Sequence, residues 1–395
     1  MARPVERPEA SVSSSVVAAF RWRQHGLDAR RPAAQLGAAL EAMGGAQAQL
    51  ASAAELSVAI RLEGLRREDL QGALDRDRRL VRAWCLRQTL YLLPTDRFAV
   101  FGRGSAGRSD RDVTWVRRRG VGPQALDTLL GAIVEALAEP RTGPELVRAV
   151  AAALGAKEVV RAGYGWGSEG PIPAVRYRRI DFPARFLVHL ANARTPICIA
   201  PPRDGRTSFV RADTGLPGFR DLPRERAEEE LLRIYLRAFG PAHGRDFAWW
   251  TGNLQRPVDG IWERVGPEIA PVDVDGARAF VLRRDLDALR EARAADDLRL
   301  LPYFDSFVLG HRERPHLVAS DHADRVYRPQ GWVAPVMAVG GRAIGTWDYR
   351  VARGRLDVRT RPFRRGDRRP TAEVRREAAR IAEYLEVPLG RVEVP

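Results

Sequence analysis

Lysine is almost missing from this 395-residue chain. Of its 65 basic residues only Lys157 is a lysine and the rest are arginine. A single primary amine in the side chains leaves little room for Schiff-base chemistry. Cysteine is equally scarce: Cys85 and Cys198 lie far apart in strand-like segments, which excludes a disulfide framework and a CxxC metal site and reads as two buried thiols. No apolar run approaches the roughly 18 residues of a membrane-spanning helix. The opening "MARPVERPEASVSSSVV" has no apolar signal region, so a cytoplasmic, nucleoid-associated protein without membrane partners is expected. Hydrolase, NTPase and dinucleotide signatures (GxSxG, a P-loop, GxGxxG in a βα context) are also lacking. His311, His316 and His322 cluster with Asp321, but their spacing fits no common zinc site, and no metal or other cofactor is expected.

What the chain has in abundance is positive charge. A formal net charge of +15 and a pI near 10.8 survive a count of 50 acidic residues. Codon bias explains arginine over lysine but not the excess of base over acid. A basic surface of this size on a cytoplasmic protein favours a polyanion, and nucleic acid is the common one.

The hydrophobic periodicity predicts a helix-rich α+β fold with a recurring order. Helices are expected at 14–26, 33–43, 50–64 and 67–75, followed by a hairpin in "LVRAWCLRQTLYLLP" that turns at Arg87-Gln88. The order recurs with two helices in 124–154, a third at 181–193, and strand, loop, strand in "PICIAPPRDGRTSFVRAD". It recurs again from "RERAEEELLRIYLRAFG" through "GRDFAWWTG" and 255–265 to strands at 270–283. Three helices followed by a β-ribbon form a winged-helix unit. Three tandem units are therefore expected, at 10–100, 122–216 and 222–290, with a C-terminal β-rich element over 298–395. That element holds a Gly340-Gly341 hairpin and ends in an amphipathic helix. The Gly- and Pro-rich stretch 155–180 is an insertion in the second unit. Its Tyr164, Trp166 and Tyr177, with Arg176, Arg178 and Arg179, suit base stacking and phosphate contact. "GRGSAGRSDRD" at 102–112 reads as an exposed loop, and Trp249 and Trp250 read as core.

Gln47 and Gln49 stand just after a glycine pair and before an apolar-periodic run. Their positions alone leave open whether they bond the start of the following helix or hold something else. "RQHGL" (23–27), "GAQAQ" (45–49), "LVRAWCLRQTLYLLP" (80–94), "YLRAFGPAHGRDFAWWTG" (235–252), "LLPYFDSFVLGHRER" (300–314) and "GWVAPVMAVGGRAIGTW" (331–347) decide how to read them. Together, in order and over almost the whole chain, they resemble the AlkZ/YcaQ family of bacterial winged-helix DNA glycosylases.

The resemblance implies three tandem winged helices curved around duplex DNA. It implies Gln47 and Gln49 as the catalytic pair, since the AlkZ branch carries Gln-x-Gln where the YcaQ branch carries Asp at the second position. It further implies removal of bulky N7-alkylated purines, unhooking of interstrand crosslinks, and self-resistance to a genotoxic natural product. The expected enzyme is a monofunctional, monomeric DNA glycosylase acting on double-stranded DNA. His311, Arg312 and Arg314 in the basic "GHRER" hairpin are the candidate groove contacts, with Arg328 and Trp332 beside them. The insertion at 155–180 departs from the family and bears on which adduct fits. The competing expectation is a non-catalytic winged-helix protein, a transcription regulator or lesion sensor.

Overall fold

A computed structural model describes residues 7–162, 171–293, 296–364 and 371–395. It is a mixed α/β structure in which one local topology occurs three times. In the first unit, helix Leu36–Ala42 leads to a two-residue strand, Ala46–Gln47, then helices Ala51–Ala59 and Arg67–Asp75. The wing strands Leu80–Trp84 and Leu90–Pro94 follow. The short strand pairs antiparallel with the second wing strand, Gln47 opposite Tyr91. The second unit runs Pro123–Ala136, Arg141–Thr142, Gly143–Leu154, Ala184–Ala191, then wing strands Ile197–Arg203 and Arg206–Arg211. Its short strand again pairs with the second wing strand, Arg141 opposite Phe209. In the third, helices Arg224–Phe239, Gly244–Thr251 and Gln255–Val265 precede wing strands Ile269–Val274 and Ala277–Leu282. A single bridge, Ala242 to Phe280, takes the place of the short strand.

The wing turns explain why the hairpins form where they do. Asp204-Gly205 and Asp275-Gly276 carry positive φ at both positions (49° and 71°; 50° and 83°), the backbone that a two-residue hairpin with the right twist requires and that Asp-Gly adopts readily. Arg87 and Gln88 adopt the same backbone, φ 53° and 55°, without a residue suited to it.

The insertion forms a three-stranded meander, Lys157–Ala162, Pro171–Tyr177 and Ile180–Pro183, between the second and third helices of the second unit. Tyr164 and Trp166 lie outside the described residues. The expected loop at 102–112 is a correction: helices Phe98–Gly104 and Gly107–Arg118 cover most of it. Its glycines serve close packing instead of flexibility. A Cβ at Gly104 would sit 2.9 Å from the Ala227 carbonyl oxygen, and one at Gly107 2.5 Å from Asn253 Oδ1. The expected helix 181–193 begins later, because 180–183 is the last strand of the insertion.

The C-terminal element is a five-stranded sheet with helix Thr371–Tyr384 packed on it. It shares one core with the first unit: Leu40, Leu56, Leu70 and Leu92 are buried together with Phe304, Trp347 and Ile381. The first unit's wing, with Val81 and Leu93, shares a second core with Tyr235, Phe247 and Trp250 of the third. The first unit is thus held from two sides. Among the described residues, no helix is long and apolar enough to cross a membrane.

Candidate active site

Strand alternation sorts the Gln47-Ala48-Gln49 segment into two faces. Ala48 enters the hydrophobic core with 4% of its surface exposed, and its N–H donates to the Leu90 carbonyl at 2.7 Å. Gln47 and Gln49 therefore share the other side, where both line a cleft of about 580 Å³. Gln47 is 7% exposed. The amide oxygen of each glutamine is shielded and accepts no hydrogen bond from the protein. Neither caps the helix that follows: its N-cap is Leu50, which makes no side-chain cap. The strand is braced from below, where Ser306 Oγ donates to the Gly45 carbonyl. A Cβ at Gly45, whose φ is 80°, would come within 2.6 Å of Leu93, so the backbone passes too close for another residue.

Next to Ser306 lies the most deeply buried ion pair described. Asp305 receives Arg61 Nη1 at 2.7 Å and Nη2 at 2.8 Å, and Ser57 Oγ donates to it as well. Burial pushes the Asp305 carboxyl up, but Arg61, Ser57 and the Phe307 N–H outweigh it, and the group lies below its ordinary range. Such a pair adds little net stability, yet removing one partner strands the other charge. It ties the helix after the glutamines to the C-terminal element.

The cleft's charge is one-sided. Arg87, Arg185, Arg314 and Arg328 line it, and no Asp, Glu, His or Lys does among the described residues. Trp249, from the second helix of the third unit, is shared by two of these cations: Arg87 Cζ lies 4.4 Å and Arg314 Cζ 4.5 Å from its ring centre. Arg314 also lies 4.2 Å from the Tyr327 ring and donates through Nε to the His311 carbonyl at 2.6 Å. Burial lowers the pKa of Arg314 and pushes the Tyr327 hydroxyl up to about 12.

The family model of AlkZ-like DNA glycosylases matches residues 40–384. An interstrand DNA cross-link repair glycosylase of Streptomyces sahachiroi is 31% identical over 346 residues, covering 86% of this chain and 87% of the relative. The solved structure of Streptomyces sahachiroi DNA glycosylase AlkZ superposes with a TM-score of 0.80 at 25% identity, over 98% of this chain and 100% of that one.

The chain belongs to the AlkZ-like DNA glycosylases.

For this glycosylase, the residues singled out in the sequence scatter over four places. Gln47, Gln49, Arg314, Arg328 and Trp332 share the cleft. Arg312 is exposed outside it, its backbone N–H donating to Asp246 at 3.3 Å. Arg176, Arg178 and Arg179 lie on the insertion. Arg176 is paired with Asp181 at 2.7 Å, while exposed Arg178 and Arg179 form a turn with φ of 49° and 66°. His311 as a groove contact is a correction. "GHRER" is a loop after a short 3-10 turn, not a hairpin. The His311 ring is 7% exposed, 6.2 Å from Phe239 and 4.7 Å from His316, and burial holds its pKa far below the usual range.

Trp249 corrects a second expectation. Trp250 is core at 1% exposure, but its neighbour lines the cleft. Arg185 and Tyr327 went unremarked in the sequence, and Arg87 was named there only as part of the hairpin turn. For Arg87 a signal existed: a hairpin turn without Gly, Asn or Asp. Lys157 is exposed on the insertion, outside the cleft. No group of three His, Cys, Asp or Glu side chains with metal-binding geometry occurs among the described residues.

Proposed function

We propose that this DNA glycosylase hydrolyses the N-glycosidic bond of bulky N7-alkylated purines in duplex DNA, with Gln47 and Gln49 holding the attacking water. One observation carries the reading: among the described residues, the glutamines stand in a cleft lined by four arginines and by no carboxylate, imidazole or amine. Such a site has no acid with which to protonate a departing base. It suits a leaving group that needs no proton. A purine alkylated at N7 already bears a positive charge. When the C1′–N9 bond breaks, its electron pair neutralises that charge, and the sugar becomes oxocarbenium-like. A nearly neutral water can then attack C1′ and release its proton to solvent.

What remains for the protein is placement. Each glutamine offers one acceptor and two donors, so two side chains that line one cleft can hold a water in a near-attack position. The two amide oxygens, unpaired by protein, also stabilise positive charge developing on the sugar. The same pair is feeble towards undamaged nucleotides, whose bases leave only when protonated. The one lysine of the sequence, Lys157, stands outside the cleft, which supports a monofunctional reaction without strand cleavage.

The Streptomyces sahachiroi relative is named for interstrand crosslink repair, and the reading extends to unhooking such crosslinks and to self-resistance. A crosslinked base stays tied to both strands and cannot be swung fully into a closed pocket, so an open cleft suits it. The enzyme is read as a monomer working on nucleoid DNA, with Arg312, Arg178 and Arg179 as outer duplex contacts. Family membership favours this reading over the non-catalytic regulator.

The test is base release from a duplex carrying one N7-alkylguanine, compared between the wild type and Gln47→Ala/Gln49→Ala. Release by the wild type above spontaneous depurination, lost in the double variant, is expected. Equal rates for the two proteins would remove the glutamines from the chemistry.

A further inference from the structure

The wing of the first unit does something that the other two wings do not. All three turn through two residues with positive φ, but only Arg87-Gln88 does so with long polar side chains, which resist that backbone. The turn is pinned on both flanks. Gln88 donates through Nε2 to Asp112 and accepts from Arg108 Nε at 3.3 Å. On the other flank lies Gly252, with φ of 78°, at the C-terminus of the helix that carries Trp249. A Cβ there would lie 3.1 Å from the Arg87 Cα. This wing tip is therefore docked inside the molecule, and its arginine faces the cleft instead of open solvent.

The charge brought there is under-matched. Arg87 lies over Trp249, its Nη1 has no hydrogen-bond partner, and its Nη2 reaches only the Tyr91 hydroxyl at 3.4 Å. Arg314, over the same indole, differs: its Nε is bonded to a carbonyl and a second ring adjoins it. Tyr91 is also the cross-strand partner of Gln47, so Arg87 is coupled through one residue to the strand that bears Gln47. A cation with a shielded, unpartnered donor, fixed on an aromatic ring in a cleft that has no carboxylate among the described residues, calls for an anion. Duplex DNA supplies one at each linkage.

We propose that Arg87 binds the backbone phosphate next to the damaged nucleotide and, with Trp249 as its platform, sets the sugar against Gln47 and Gln49. The proposal rests on the glycosylase reading of that pair. It makes the first unit's wing a clamp on one phosphate at the lesion, distinct from general attraction to the duplex.

The experiment combines Arg87→Ala and Arg87→Lys with duplexes that carry one N7-methylguanine and a single methylphosphonate at successive linkages on either side. Base release is followed under single-turnover conditions with enzyme in excess. Arg87→Ala is expected to slow release by about 10-fold or more, with a smaller loss of undamaged-duplex affinity, that of one phosphate contact. At one linkage, neutralising the phosphate should slow the wild type about as much and should slow Arg87→Ala no further. Arg87→Lys, which keeps the charge and loses the planar contact, should fall between them. Effects that multiply independently at every linkage would overturn the clamp while leaving the glutamine reading intact. No release by the wild type from the unmodified lesion duplex would overturn both. Should Arg87→Ala fold poorly, Arg87→Asn/Gln88→Gly removes the same cation while relieving the turn, and equal rates for it and the wild type would again overturn the clamp.

Discussion

The first and second winged-helix units share a topology and differ where the cleft lies. In the second, the junction between short strand and next helix follows ordinary rules: the Thr142 N–H donates to Glu145 at 2.8 Å in a capping box, and the wing turns at Asp204-Gly205. The third unit does the same with His243 N–H to Asp246 at 3.2 Å and Asp275-Gly276. In the first, the helix starts at an uncapped Leu50 and the wing turns at Arg87-Gln88. A unit that breaks two local rules its siblings obey, at the two places that face one cleft, has given up local stability there for something else. The comparison teaches that the glutamines are not a failed helix cap.

The comparison can be broken in several ways. The largest effect is expected from Asp305→Ala, which strands the buried Arg61 and should cost about 3–5 kcal/mol in urea unfolding, with base release falling as the strand below the cleft loosens. A melting curve unchanged from the wild type would show that the pair does not anchor the first unit. Gln47→Ala/Gln49→Ala should lower the single-turnover rate by about 10²–10³-fold with little change in melting temperature. Its counterpart in the second unit, Thr142→Ala, should do the reverse: it should cost about 1 kcal/mol of stability at an unchanged rate. If both variants moved the same observable, the two junctions would be alike after all.

Protonation offers a further probe. Burial, helped by Arg61, holds His25 at a pKa of about 3, and burial beside Arg185 holds His189 of the second unit at about 3. Unfolded histidines titrate near about 6.5. Each neutral imidazole thus contributes stability that is complete above about pH 6.5 and is lost as pH falls from there towards 3. The slope is about 1.4 kcal/mol per pH unit per histidine. Urea titrations between about pH 6.5 and 4.5 should be flatter for His25→Phe than for the wild type. An identical pH dependence would mean that the imidazole gains a proton without unfolding.

The smallest effect is the most pointed. Arg87→Asn/Gln88→Gly should raise stability by about 1 kcal/mol by relieving two strained residues, while slowing base release. Asp204→Arg/Gly205→Gln, its mirror in the second unit, should lower stability by a similar amount and spare the rate. Equal responses of the two wings would dissolve the distinction.

Much of this was legible in the chain. Apolar periodicity marked the helices, Asp-Gly pairs marked two wings, and the resemblance in "GAQAQ" and "YFDSF" pointed to the glutamines. The misreadings have physical causes. Gly104 and Gly107 looked like loop residues because close helix packing and flexibility both call for glycine. His311 looked like a surface contact because "GHRER" is polar, yet its backbone carbonyl, not its ring, serves the cleft by holding Arg314.

By itself the sequence determined the basic character of the chain, the near-absence of amines and the recurrent helix-and-hairpin order. These follow from composition and from local periodicity, which act over a few residues. Only the tertiary structure decided which arginines meet in the cleft. Arg87, Trp249 and Arg314 come from three elements separated by 60 or more positions. Their meeting depends on how the first unit docks between the third and the C-terminal sheet, and that follows from the burial of shared cores, not from any local pattern.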